Sequence, residues 1–532
     1  MESNCTLIPY SATGFFSKII IDYLSNSDDV KQFYKFSPNT EGIQAALQQR
    51  KNFTTNRTVL VDELLKQYNA LDISNAVKEN ISALQLANTF TVTTAHQPNI
   101  FTGPVFFIYK ILHTIKLAEK LNNQFPENHF VPVYYMGSED ADIEELGNIT
   151  IDEVKYEWQT NQTGAVGRMK VDKAFINLLS AIETQISLFE HGNELCEIFK
   201  QVYTEGKTIQ QATLELINHL FGTYGLVVLI PDNQNLKRLF IPVVEKELQE
   251  KFSHTIVEQT VIDLEKKYKV QAAGRELNLF YLFENKRERI EIENGKFKIQ
   301  SLELEFDEKE ILQELQANPE RFSPNVILRG LLQETILPNI AFVGGGGELA
   351  YWLELKNVFA AASVPYPVLI LRNSFLIVEE KWKQKIDELE LTDENIFSDE
   401  HELMNLIVTR KANAAIHLNG HLQQVENIYT AITELAGNVD ATLKNNVAAI
   451  KAKAIKDLEE LEKKMLRAEK RKHEIELNKI QKIKAALFPG NNLQERVENL
   501  SSFYAKYGNN FIEVLYANAL SFEQSFAVLA LA

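Results

Sequence analysis

The chain of 532 residues is longer than one hydrophobic core usually organises, so at least two bodies are expected. Its 45% hydrophobic and 24% charged content exclude a disordered or fibrous chain, and a net charge of -17 argues against a general nucleic-acid binder. Cys5 and Cys196 are its two cysteines, too few for a disulfide framework or a Cys-rich zinc site. No basic-then-apolar leader and no membrane-length apolar run are visible, so a cytoplasmic protein without a membrane partner is expected.

Up to about residue 375, short apolar runs alternate with helical patterns. The runs Phe90–Thr94, Phe130–Tyr135, Gly225–Ile230, Ile340–Val343 and Pro367–Leu371 are continuous and rich in Val, Ile, Phe and Tyr, as strands buried on both faces are. Helices between them predict an α/β fold with a parallel sheet covered on both sides. Two intervals, about 151–218 and 235–325, exceed what a crossover needs and read as insertions. Within the second, residues 278–300 alternate like a hairpin, with Asn294-Gly295 as the turn.

From 376 to 532 the sequence predicts an α-helical coiled-coil domain and a shorter helical tail. Leu422, Val425, Tyr429, Ile432 and Val439 form one seam at 3-, 4- or 7-residue steps. Beyond a break near Gly437–Asp440, a second long helix carries Leu458, Leu461, Met465, Ala468 and Ile475. An antiparallel hairpin is expected, ending at Phe488-Pro489-Gly490. A homodimer is expected if apolar seam residues are exposed.

Polar loops follow the predicted strands. After the first comes TAHQPNIFTGP (94–104), with His96, Gln97, Asn99, Thr102 and Gly103. Pro104 suits a first helical turn that Thr102 or Gly103 would cap, so its free N–H groups would seat an anion. After the second comes MGSEDADIEELGNI, whose Glu139, Asp140, Asp142 and Glu144 could hold an amine, orient a hydroxyl or bind Mg²⁺. After the fourth, Gly344, Gly345, Gly346 and Gly347 precede Glu348 and leave bare N–H groups at a helix entrance, suited to phosphates. After the fifth, Arg372 offers a planar fork beside Asn373 and Ser374. Loops at the carboxyl ends of parallel strands are where open α/β sheets bind ligands.

Six ordered blocks then match a known family: TAHQPNIFTGP, YYMGSEDADIEEL (134–146), RFSPNVILRGLLQETILP (321–338), VGGGGELAYWLELKNVF (343–359), RNSF (372–375) and LFPGNNLQERVENLSSFYAKYG (487–508). With them the chain resembles the bacillithiol biosynthesis cysteine-adding enzymes, the putative cysteine ligases, over nearly its whole length. It departs from their pattern at Ala95-His96-Gln97, at Ala141, at the glycine run and at Leu371, and it shows no KMSKS lysine motif.

The resemblance implies a Rossmann-like core with two connecting-peptide insertions and a C-terminal coiled-coil domain. The implied reaction joins L-cysteine to the amine of glucosaminyl-malate, with ATP or a related nucleotide activating the carboxyl and Mg²⁺ as an added cofactor. In that reading His96, Glu139, Asp140 and Asp142 do the proton and charge work. Gln97, Asn99, Thr102, Gly103, Asn325, Gly344–Gly347, Glu348, Arg372 and Ser374 bind substrate or nucleotide, and no protein metal site is expected. Two alternatives stand beside it: a nucleotide-binding coiled-coil interaction protein, and a class I-like nucleotidyl-transferase with another acceptor.

Overall fold

In the computed structural model, which describes residues 3–270, 274–411 and 418–531, the five apolar runs form one parallel sheet. They become β1 (Thr89–His96), β2 (His129–Met136), β3 (Val227–Leu229), β4 (Asn339–Gly344) and β5 (Val368–Leu371). The order across the sheet is β5-β4-β1-β2-β3. Registers run parallel from Thr89 opposite His129 to His96 opposite Met136, and from Ala341 opposite Val368 to Gly344 opposite Leu371.

The continuous apolar runs have a physical reason, because helices cover both faces of the sheet. On one face Phe90, Val92, Phe130, Ala341, Val343, Val368 and Ile370 pack with Leu117 and Leu121 of α1 (Phe106–Gln124). On the other, Phe342 stacks on Trp352 of α3 (Gly346–Ala361), ring centroids 4.5 Å apart. Before β4 comes α2 (Arg329–Ile336). The chain leaves neighbouring β1 and β4 in opposite directions, toward β2 and toward β5. That reversal opens a crevice at the carboxyl ends of β1 and β4.

Both long intervals hold extra elements. The first contains a small hairpin, Asn148–Ile151 with Val154–Glu157, and the helices Lys173–Ile186, Gly192–Val202 and Ile209–Phe221. The second contains three helices between Gln234 and Leu264 and two three-stranded antiparallel sheets. Lys296 pairs with Glu293 across Asn294 and Gly295, both at positive φ as a two-residue hairpin turn needs.

The chain divides into two compact units. The second, built on Ile377–Asn492, holds α4 (Asn419–Val439), α5 (Leu443–Lys470) and α6 (Glu474–Leu487). The helices α4 and α5 pack against each other as the expected hairpin, turning at Asp440–Thr442, where Asp440 accepts from the Thr442 N–H at 2.8 Å. A short 3-10 turn, Arg471–His473, interrupts the second long helix, which the sequence had suggested was continuous.

The tail departs from the expected purely helical one. By packing, Leu493–Leu529 groups with the first compact unit. Its helices Ser501–Tyr507 and Asn509–Ala517 are too short to stand alone, and they bury Phe503, Phe511, Ile512 and Leu515 there. Ser525–Leu531 is a strand rather than a helix, with the Ala527 N–H donating to the Ser374 carbonyl at 3.0 Å. Among the described residues no helix is long and apolar enough to cross a membrane.

Candidate active site

The end of β1 and the loop after it do two separate jobs. Ala95, His96 and Gln97 line a cavity of about 370 Å³ at the crevice between β1 and β4. The residues that follow turn away from it. Phe101, Thr102 and Gly103 all have positive φ, and a Cβ on Gly103 would come within 2.6 Å of the Asn99 side chain. Only glycine fits there.

Asn499 holds this turn by donating through its amide to the carbonyls of Phe101, at 2.8 Å, and Gly103. The Phe101 N–H donates to the Tyr203 hydroxyl, and the Val105 N–H to the Glu498 carbonyl. The helix α1 begins at Phe106 without a side-chain cap. Asn99, Thr102 and Gly103, expected to seat an anion, do not line the cavity and instead shape the loop, with Asn99 Oδ1 and Thr102 Oγ1 buried without a hydrogen-bond partner among the described residues.

Behind Glu348, which lines the cavity and is partly exposed, lies a buried cation. Lys110, in the second turn of α1, is fully buried and donates to both Glu348 oxygens at 2.9 and 2.8 Å, and to the Ala95 carbonyl. Burial pushes this ammonium below its ordinary range, and Glu348 acts against that shift. One Glu348 oxygen also accepts from the Gly345 N–H at 2.8 Å, so the carboxylate is fixed from two sides.

The His96 ring packs on aromatic neighbours, stacked on Phe107 with centroids 4.7 Å apart and edge-on to Phe106 at 5.3 Å. Burial, with Lys110 and Arg372 nearby, holds it well below the usual histidine range, so it is a neutral imidazole. Its Nε2 is buried without a hydrogen-bond partner among the described residues, whereas buried polar atoms ordinarily have one.

Arg372 also reaches the cavity, over the ring of Phe106. Its terminal nitrogens, however, are committed to Glu495 at 2.6 Å, to the Asn373 carbonyl at 2.8 Å and to Ser374 Oγ at 3.1 Å. The fork expected to clamp a substrate therefore fastens the tail segment. Beside it, Arg496 lines the cavity, its side chain without a hydrogen bond or ion pair among the described residues; burial and then Arg372 push its guanidinium below its ordinary range, with Glu495 and Glu348 acting the other way.

The acidic block separates into different roles. Glu139 is buried, pairs with Lys237 and accepts from Ser323 Oγ at 3.0 Å. Asp140 accepts both arms of Arg329 at 2.9 and 2.8 Å, with Arg287 at 3.8 Å, and Arg329 with the other nearby cations holds it below the usual carboxylate range against the cost of burial. Asp142 is exposed and caps the short helix Ile143–Leu146. None of the three presents a free carboxylate to the cavity; Glu145 does.

The remaining sequence candidates also divide. Gly345 and Gly347 line the cavity, whereas a Cβ on Gly344 would strike Phe342 and Leu349, and Gly346 faces Phe16 and Ile20. Asn325 is outside the cavity, bonded to Asn278 and to the Ile327 N–H.

Sequence reasoning missed Lys110, Glu145, Arg329, Glu495 and Arg496. One signal was present, a lysine inside the apolar stripe FFIYKILHTI, which demands a buried partner. The other four depend on helix phase or on distant chain returning to the site.

Residues 1–373 match the family model described as bacillithiol biosynthesis BshC, N-terminal Rossmann-like domain, and residues 375–531 match its C-terminal coiled-coil domain. The chain belongs to the bacillithiol biosynthesis BshC family. Relatives named "Putative cysteine ligase BshC" include one from Flavobacterium johnsoniae, 38% identical over 100% of both chains. Another, from Flavobacterium psychrophilum, is 39% identical over 96% of each. A third, from Christiangramia forsetii, is 38% identical over 99% of each. That membership assigns the parallel sheet to the family's Rossmann-like domain.

Proposed function

We propose that this chain is the cysteine ligase of bacillithiol biosynthesis, forming an amide between the carboxyl of L-cysteine and the amine of glucosaminyl-malate. Family membership supports the class of reaction. The observation that carries the site is a single cavity at the β1/β4 crevice offering a fixed carboxylate, a neutral imidazole with an unfilled nitrogen, a free carboxylate and a free guanidinium.

A free carboxylate is a poor electrophile, so amide formation in water needs prior activation; ATP or a related nucleotide would supply it. The cavity's surfaces fit such a group. Phe342 and Trp352 give a flat aromatic wall for a base, and Gly345 and Gly347 leave the entrance of α3 without side chains. His96 Nε2 and Arg496 would meet phosphate or carboxylate oxygens. Among the described residues no group of three metal-ligating side chains is preformed, so Mg²⁺ would enter on nucleotide phosphates rather than in a protein cage.

In this reading the neutral His96 donates an N–H to developing negative charge, and Glu348, fixed in place by Lys110 and the Gly345 N–H, orients the amine of cysteine. Arg372 keeps the wall in place through Glu495. The test is direct: purified protein with L-cysteine, glucosaminyl-malate and ATP, followed by mass spectrometry. Bacillithiol formed only when all three are present is the expected result. No product under any nucleotide would end the proposal.

A further inference from the structure

The two carboxylates that line the cavity have different surroundings. Both oxygens of Glu348 are occupied by Lys110, and one also by the Gly345 N–H. The Glu145 side chain makes no hydrogen bond or ion pair among the described residues and is exposed. It stands on the helix Ile143–Leu146, fixed in place by Asp142, which accepts from the Glu145 N–H at 3.1 Å.

The charged groups on its own segment are Asp140, Asp142 and Glu144, and those lining the same cavity are Glu348, Arg329, Arg372 and Arg496. The fork of Arg329 is already taken by Asp140. Burial first, then Asp142 and Asp140, raises Glu145 above the ordinary carboxylate range. Such a carboxylate is a better proton acceptor near neutral pH than an unperturbed one.

We propose that Glu145 is the base that takes the proton of the attacking amine when the amide forms. This rests on the ligase reading given above. The amine lone pair forms a C–N bond to the activated carboxyl carbon. The bond from that carbon to the phosphoryl oxygen of the nucleotide-derived leaving group breaks, and that oxygen departs with the electron pair. The proton displaced from nitrogen passes to the Glu145 carboxylate and then to water. A nucleoside triphosphate is the co-reactant that creates the leaving group.

Hydroxylamine separates this step from activation, because its nitrogen is unprotonated at neutral pH and attacks without a base. With cysteine, ATP and hydroxylamine, Glu145→Gln forms cysteine hydroxamate at a rate reduced by no more than about threefold, whereas ligation to glucosaminyl-malate falls roughly a hundredfold. The variant also loses the acid limb of the kcat/KM profile, and Glu145→Asp restores part of both. Calorimetry with glucosaminyl-malate alone, without nucleotide, shows weaker binding to Glu145→Gln.

Ligation within about threefold of the unaltered protein, with its acid limb kept, would overturn the proposal. If the unaltered protein forms no hydroxamate, the activation reading fails. The calorimetric arm then judges Glu145 by itself, and unchanged affinity for the amine sinks it.

Discussion

The guanidinium of Arg372, at the end of β5, donates to the carboxylate of Glu495 at 2.6 Å, and both side chains are buried. The contact joins the parallel sheet to a segment more than a hundred residues later. Tyr10 adds a third strand of chain by donating its hydroxyl proton to the Arg372 carbonyl at 3.1 Å. Breaking a buried pair by removing one partner leaves an uncompensated charge and costs about 3–5 kcal/mol. Arg372→Met and Glu495→Gln should each lose stability of that order in urea unfolding. The double variant Arg372→Met/Glu495→Leu should lose clearly less than the sum of the single losses. Additive losses would show that the pair is not a coupled unit.

The pair Lys110 and Glu348 makes a different prediction, because Glu348 is partly exposed while Lys110 is fully buried. Removing the carboxylate strands an ammonium in the core, whereas removing the ammonium frees Glu348 to move. Lys110→Met should therefore impair ligation through a misplaced Glu348, and Glu348→Gln should destabilise the fold more than its exposure suggests. A double-mutant cycle should give a coupling of about 1 kcal/mol or more. Zero coupling would remove Lys110 from any account of the site.

His113 supplies a pH dependence. Its Nε2 donates to the Ser521 carbonyl at 2.7 Å, and its Nδ1 accepts from the Asn373 N–H at 3.0 Å, so only the neutral ring satisfies both. Burial pushes its pKa down to about 4. Between that value and 6.5 the unfolded chain binds a proton that the folded chain refuses. The stability contribution is therefore complete above about pH 6.5 and is lost as pH falls toward 4, on the order of 3 kcal/mol in all. Thermal unfolding of the unaltered protein should weaken across that window, and His113→Gln should flatten the slope. An unchanged slope would assign the acid sensitivity to other groups.

Arg496 is the unpaired cation of the cavity among the described residues. Charge-assisted hydrogen bonds contribute about 1.5–3 kcal/mol, so Arg496→Ala should raise KM for one anionic reactant roughly 10- to 100-fold. The affected reactant, ATP or glucosaminyl-malate, identifies the oxyanion it meets. Arg496→Lys should recover part of the loss, since the charge returns without the planar fork. Unchanged KM for both would exclude the residue from binding.

The sheet was legible because strands buried on both faces are written as continuous apolar runs, and all five runs found in the sequence are the five strands. The crevice followed, since polar loops trailed the same runs. The roles within it were less legible for reasons of packing. Arg372 looks like a ligand clamp until Glu495 is placed against it, and Glu495 lies 123 residues away. Thr102 and Gly103 look like a helix cap until the positive φ angles turn them toward Asn499. Choosing among Glu139, Asp140, Asp142 and Glu145 requires knowing which have partners, and those partners come from the second insertion and from α2.

The hairpin carries the last prediction. Ile428, Ile432, Leu435 and Val439 recur at steps of four, three and four along α4, which places them on one face, and they are 57%, 40%, 67% and 82% exposed. Heptad spacing of that kind is the seam of a coiled coil. Exposed apolar positions on a surface helix invite a self-complementary partner, and two-fold pairing lets one patch cover its own copy. We expect a second copy of the chain to cover this face. Sedimentation of the unaltered protein should give a dimer, and Leu435→Glu/Val439→Glu should shift it to a monomer without lowering the thermal midpoint. A monomeric unaltered protein at micromolar concentration, or a dimer indifferent to both changes, would show that the face has another use.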